Sequence, residues 1–136
     1  MLQIFRELIT AEQLRQSGAF IDVRSEAAYF TKLGENAEFI THVKRGEVAG
    51  FVAFYCNDYV SKCLYITLIL VKPECRGEKI ASGLIGSALV VARERGFSTC
   101  SLQVKKNNNS AISLYRKLGF LVVSEDDTNL LMSAEI

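Results

Sequence analysis

The stretch that most restricts the fold is Leu64–Ala92, where an apolar, β-rich run gives way to a helical repeat across one short turn. Leu64–Val71 reads Leu-Tyr-Ile-Thr-Leu-Ile-Leu-Val, nearly continuous apolar, and suits a central strand covered on both faces. Pro73 and Gly77 break that pattern. From Ile80 the period becomes helical: Ile80, Leu84, Ala88, Val91 and Ala92 fall on one stripe. Arg93 and Arg95 lie in the last turn, and Gly96 supplies a stop. A helix entered this way presents unpaired backbone N–H groups at its start.

The flanking segments complete the order of elements. Leu2–Ile9 mixes apolar and polar residues and is expected to be a first strand. Thr10 and Gln13 have capping-box spacing, which predicts a short helix over about Thr10–Ser17, stopped at Gly18. Ser25–Leu33 reads as a second helix ending at Gly34. Residues 37–57 then form a hairpin, turning at Arg45-Gly46-Glu47, with Asn57-Asp58 marking the next turn. Thr99–Val104 alternates as a strand. Ser110–Leu118 is a helix capped by the Asn107–Ser110 cluster and ended by Gly119. Phe120–Ser124 and Asn129–Ala134 are two last strands around the acidic turn Glu125-Asp126-Asp127. The expected order is β-α-α-β-β-β-α-β-α-β-β, an α+β fold with a mixed, mostly antiparallel central sheet and helices on both faces.

Composition narrows the functional classes. A chain of 136 residues is expected to form a single domain over 1–136. Its formal charge of +1 gives no basic field for nucleic acid. Four separated cysteines and one histidine, His42, do not make a zinc site, so no metal is expected, and free thiols in a reducing cytoplasm are the natural reading. No stretch is long and apolar enough to suggest a membrane span, and Met1–Ile9 lacks the pattern of a signal peptide.

The turn at Val71–Ala81 combines features that suit phosphate. The helix start offers N–H groups and positive dipole, Gly77 and Ala81 allow close approach, and Arg76 and Lys79 add charge. A turn glycine with two solvated cations explains the stretch equally well on its own. The spacing is not that of a P-loop.

The second motif, Asn108-Asn109-Ser110-Ala111-Ile112-Ser113-Leu114-Tyr115-Arg116-Lys117-Leu118-Gly119-Phe120, tips the balance. It resembles the Asn-x-x-Ala-x-x-Leu-Tyr-x-Lys-x-Gly-Phe signature of the GNAT acetyltransferases. The upstream turn resembles that family's Arg/Gln-x-x-Gly-x-Gly/Ala pyrophosphate loop, with Lys79 where the pattern has its middle glycine. The resemblance spans roughly residues 64–120 and implies an acyl-CoA N-acyltransferase fold that uses acetyl-CoA as cosubstrate. It also implies residue roles. Arg76, Gly77, Lys79 and Ala81 hold the pyrophosphate, and the backbone of Leu70 and Val71 pairs with the pantetheine arm. Asn108 contacts the cofactor where the 64–71 and 99–104 strands part, and Tyr115 protonates the departing thiolate.

Direct attack by a primary amine is the implied chemistry, with a backbone N–H at Leu70 or Val71 as oxyanion donor. The amine must lose a proton. Tyr65 and Thr67 occupy the strand positions where several family members carry a base, which leaves His42, a water chain or an amine that binds already neutral. Cys75 has no visible base beside it. A small-molecule amine such as an amino sugar is the expected acceptor, with a protein amine as the alternative. A non-catalytic acyl-CoA-binding module is the competing class. A dinucleotide-binding unit is disfavoured by the missing Gly-x-Gly-x-x-Gly and by the hairpins that precede the turn. The sequence is compatible with a monomer or a homodimer.

Overall fold

The computed structural model describes residues 2–21 and 24–136. Met1, where the stretch read for a leader begins, lies outside them. The chain divides into two compact units, residues 1–37 and 38–136.

The first unit is helical. α1 spans Gln3–Arg15 and α2 spans Glu26–Asn36. The expected first strand over Leu2–Ile9 is therefore a correction: Phe5, Leu8, Ile9 and Glu12 are the buried residues of α1, and that i, i+3, i+4, i+7 spacing is a helical stripe. Thr10 opens no new helix. Gln13 does something else: its Oε1 accepts the Phe20 and Ile21 N–H groups, each at 2.9 Å, and its Nε2 donates to the Ile21 carbonyl at 3.0 Å. Buried Glu12 is satisfied by Arg15 Nε at 2.9 Å and Gln16 Nε2 at 2.7 Å. α2 begins at its Ser25 cap, whose Oγ accepts the Ala28 N–H, and continues through Gly34 to Asn36. Gly34 was the expected stop, but glycine in a helix costs only about 1 kcal/mol against alanine.

The second unit holds a six-stranded sheet. β1 is Glu38–Lys44, β2 Glu47–Tyr55 and β3 Cys63–Val71; a single 3-10 turn at Pro73–Cys75 leads to α3, Ile80–Glu94. β4 is Thr99–Lys105, α4 Asn109–Lys117, β5 Leu121–Glu125 and β6 Asn129–Glu135. The strand order is β1-β2-β3-β4-β6-β5. Only β3 and β4 pair in parallel, so the sheet is the mixed, mostly antiparallel one expected. The β1–β2 turn places Arg45 at φ 54° and Gly46 at φ 80°, the double positive φ of a two-residue hairpin that keeps the strands' twist.

Within this unit one core joins the sheet to α3 and α4. Ile80, Leu84, Ile85, Ala88 and Ala92 of α3 pack with Val52, Phe54, Leu64, Ile66, Cys100, Leu102, Met132 and Phe120. Burying each large apolar chain contributes about 1.5–3 kcal/mol. The C-terminal end of α3 is clamped to the strands. Arg95 donates from both terminal nitrogens to the Glu38 carboxylate at 2.5 and 2.6 Å, and from Nη1 to the Cys56 carbonyl at 3.1 Å. The Glu38 carboxyl is held below its ordinary range, chiefly by the hydrogen bond from Arg95.

Candidate functional site

β3 and β4 begin together and then part. Their parallel register runs from Cys63 opposite Thr99 to Ile66 opposite Leu102 and stops there, although β3 continues to Val71 and β4 to Lys105. The break coincides with a bulge in β3. Phe54 of β2 lies opposite Ile66, and its neighbour Ala53 lies opposite Leu68, so Thr67 is the extra residue. The bulge changes which side chains join the core cluster around α3, although Leu68 and Leu70 stay buried. Leu64 and Ile66 belong to the core cluster before it, whereas Ile69 and Val71 pack against that cluster after it. Beyond Ile66 the side of β3 facing β4 is therefore an unpaired edge.

The geometry also decides which backbone groups line that edge. The Lys72 N–H donates to the Ala49 carbonyl of β2 at 2.9 Å. An antiparallel ladder alternates every second residue. Leu70 and Leu68 thus turn their amides toward β2, while Val71 and Ile69 turn theirs away. Gly50 agrees: a Cβ there would stand 2.8 Å from the Leu70 carbonyl oxygen, which must point toward β2. Val71 thus presents its backbone groups on the open side. Leu70, expected beside it, bonds the wrong way, and Ile69 takes its place on the open side. A single sequence carries little sign of this shift; Thr67 interrupting the apolar run is the local hint.

Parallel strands end on the same side of a sheet, so α3 and α4 both start at the mouth of the gap, the usual place for ligands in such arrangements. The start of α3 has no side-chain cap. Its first backbone bond is the Gly83 N–H to the Lys79 carbonyl at 3.2 Å, which leaves the Ile80, Ala81 and Ser82 amides directed outward. Gly77 turns at φ 85° and Lys79 at φ 61°. The pattern's middle glycine thus falls on a left-handed residue, and Lys79 accepts about 1–2 kcal/mol of strain there. Arg76 Nε donates to the Val71 carbonyl at 3.2 Å and ties the loop to the end of β3. Glu78 is paired with Lys44 and Glu47 with Lys72, at 2.5 and 3.7 Å. Among the described residues, Lys79 has no carboxylate partner. Outward amides and an uncompensated ammonium fit a diphosphate.

α4 supplies the remaining residues. Asn108 caps it, with Oδ1 accepting the Ala111 N–H and the Ser110 hydroxyl at 3.3 Å each. Tyr115 is half-buried against the core, its ring 6.1 Å from that of Phe120. Burial raises its phenol above the ordinary range, and among the described residues its hydroxyl has no hydrogen-bond partner. The phenol therefore stays protonated near neutral pH and keeps a proton to give.

The other candidates lie apart or lack the right chemistry. His42 is exposed on β1 opposite Gly50, which itself lies opposite Val71. Two strand spacings separate His42 from the β3 edge, roughly 10 Å. Tyr65 is raised by burial first and by Tyr55 second, so it is no base at neutral pH. All four cysteines are free thiols. Cys75 is buried in the 3-10 turn, and burial pushes Cys100 up to about 12. Among the described residues, no three His, Cys, Asp or Glu side chains group as metal ligands, and no helix is long and apolar enough to cross a membrane.

The chain is similar to known proteins. A family model described as the acetyltransferase (GNAT) family matches residues 3–120. A Bacillus subtilis protein carrying the provisional name [ribosomal protein bS18]-alanine N-acetyltransferase is 31% identical over 107 residues, 76% of this chain and 68% of that one. The thialysine N-epsilon-acetyltransferase of Sus scrofa is 29% identical over 133 residues, 88% of this chain and 75% of the relative. The crystal structure of the PaiA N-acetyltransferase from Thermoplasma acidophilum in complex with coenzyme A superposes with a TM-score of 0.70 at 18% identity, covering 100% of this chain and 80% of the other.

Proposed function

The chain belongs to the acetyltransferase (GNAT) family, and from that premise we propose that it acetylates a primary amine by direct attack, using the gap between β3 and β4 as its acetyl-CoA site. It is an acetyl-CoA-dependent N-acetyltransferase. The observation that carries the site is the parting of β3 from β4 after Ile66 and Leu102, beside a helix start that no side chain caps. The two units work as one domain over 1–136, a reading supported by a family match that runs through both.

Arg76, Gly77, Lys79 and Ala81 hold the diphosphate, mainly through the outward amides at the start of α3. The Val71 and Ile69 backbone groups pair with the amide-bearing arm, as an added strand would. Asn108 fixes the start of α4 beside the gap. Bound acetyl-CoA supplies the thioester carbonyl that the amine attacks. Holding both reactants together contributes roughly 7–11 kcal/mol when alignment is good. An edge N–H of Val71 or Ile69 stabilises the developing oxyanion. Tyr115 gives its hydroxyl proton to the departing sulfur, a role its burial-raised pKa supports. No carboxylate or imidazole on β3 takes the amine's proton, so it leaves through water.

A small-molecule amine is the preferred acceptor, supported by the thialysine enzyme matching 88% of this chain. An amino sugar is one such amine. A second reading, a protein N-terminal amine, is favoured by the alanine-directed relative of higher identity. Titration calorimetry with acetyl-CoA, followed by thiol-release assays on lysine analogues, amino sugars and alanine-starting peptides, tests both halves. Micromolar to sub-millimolar binding is expected. No binding at millimolar acetyl-CoA overturns the site, and turnover only on peptides overturns the small-amine reading.

A further inference from the structure

The far edge of the sheet carries a surface the proposed reaction does not use. β5 is the last strand in order and pairs only with β6. All five of its residues are exposed, and three in succession are large and apolar: Leu121 at 68%, Val122 at 39% and Val123 at 59%. Uncovered apolar edges invite association, and proteins usually blunt them with charge. The opposite edge is blunted in that way. β1 exposes one large apolar residue, Val43, beside Thr41 and His42, ends at Lys44 and is followed by Arg45. β5 has no charge until Glu125.

Charge at the ends of β5 identifies what covers it. Arg116 and Lys117 close α4 just before the strand, Glu125 ends it, and Asp126 and Asp127 follow; all five are exposed. The strand is thus basic at one end, apolar in the middle and acidic at the other. Such a surface is complementary to itself when turned head to tail. We propose that β5 is the docking surface for a second copy of this chain, related by a two-fold axis passing near Val123. Each Lys117 then meets the partner's acidic end. Glu125 already pairs with Lys106 at 3.5 Å, and Asp126 accepts the Thr128 and Asn129 N–H groups at 2.9 and 2.7 Å. Asp127 is the carboxylate left for Lys117. The β5–β6 register slips between Val122 and Ser124, and that bulge spoils a continuous strand-to-strand ladder. Packing of Leu121, Val122 and Val123 against their symmetry mates therefore carries the contact.

Sedimentation velocity across the micromolar range tests this on the whole chain. The unaltered protein is expected to dimerise. Val123→Glu is expected to be monomeric with an unchanged circular dichroism spectrum. Should that variant misfold, Lys117→Glu provides the reading, because the residue is exposed. It is expected to weaken the dimer about tenfold, since a symmetric contact counts each lost pair twice. Adding Asp127→Lys to Lys117→Glu restores the exchanged pair and recovers the dimer. A monomer at every concentration, a folded Val123→Glu dimer, or a double variant no tighter than the single one overturns the proposal. An apolar peptide or a vesicle bound by a strictly monomeric protein counts against it in the same way.

Discussion

The two ends of the β3–β4 pair are built on opposite plans. At the end where both strands begin, four residues pair in register, the Ser98 and Thr99 N–H groups donate to the Lys62 carbonyl, and Arg95 ties α3 to Glu38 and Cys56. At the other end the strands part, α3 starts without a side-chain cap, and Lys79 sits in a left-handed conformation. Backbone groups are paired at the closed end, while those along the β3 edge and at the start of α3 are left open at the other. Stability and binding are thereby assigned to different parts of one sheet, and a binding site is where backbone groups can remain unpaired usefully.

Substitutions can separate the two ends. The largest effect is expected at the open end: Tyr115→Phe should lower kcat by about a hundredfold or more while acetyl-CoA affinity, read by calorimetry, stays the same. A rate that survives the change would remove Tyr115 as the acid, and a chain with binding but no rate to lose would be a non-catalytic module. Next is Gly50→Ala, which forces a methyl against the Leu70 carbonyl at 2.8 Å. It should cost about 1–3 kcal/mol in denaturant unfolding and weaken cofactor binding, because it displaces the open stretch of β3.

Glu38→Gln probes the closed end and should cost about 1 kcal/mol near neutral pH, with acetylation kinetics unchanged. The sign with pH follows from the lowered Glu38 pKa. Its stabilisation is fully present above the ordinary value of 4.5 and is lost as pH falls through the lower folded value, so the two proteins should converge in acid. The smallest effect is Lys79→Gly. Relief of the positive φ should add up to about 1 kcal/mol to stability. Retained acetyl-CoA affinity would show that amides hold the diphosphate; a marked loss would give that task to the ammonium.

Much of this layout is legible in the chain itself. Leu64–Val71, the turn at Gly77, the helix from Ile80 and the Asn108–Phe120 segment carry local patterns that survive into the structure because burial and turn chemistry agree there. The first unit is less legible. Ile4, Phe5, Leu8 and Ile9 were compatible with a strand, and the buried member that completes the helical stripe is an acid, Glu12, which no hydrophobic pattern would mark. The backbone choice between Leu70 and Ile69 was barely legible, with Thr67 in the apolar run its one local sign. It depends on a bulge at Thr67, and a bulge is set by how neighbouring strands twist, information spread over β2, β3 and β4 rather than held in one run.

The brevity of the parallel register has a consequence for how the molecule assembles. β1, β2 and β3 form one antiparallel block and β4, β6 and β5 another, joined by a seam of four rungs whose strands are separated in sequence by the whole of α3. The β1–β2, β2–β3 and β5–β6 hairpins close short loops, whereas β4 must reach β3 across α3 and β6 across α4 and β5. Such a chain is expected to form its hairpins first and to set β4 between them last, along the line where the gap opens.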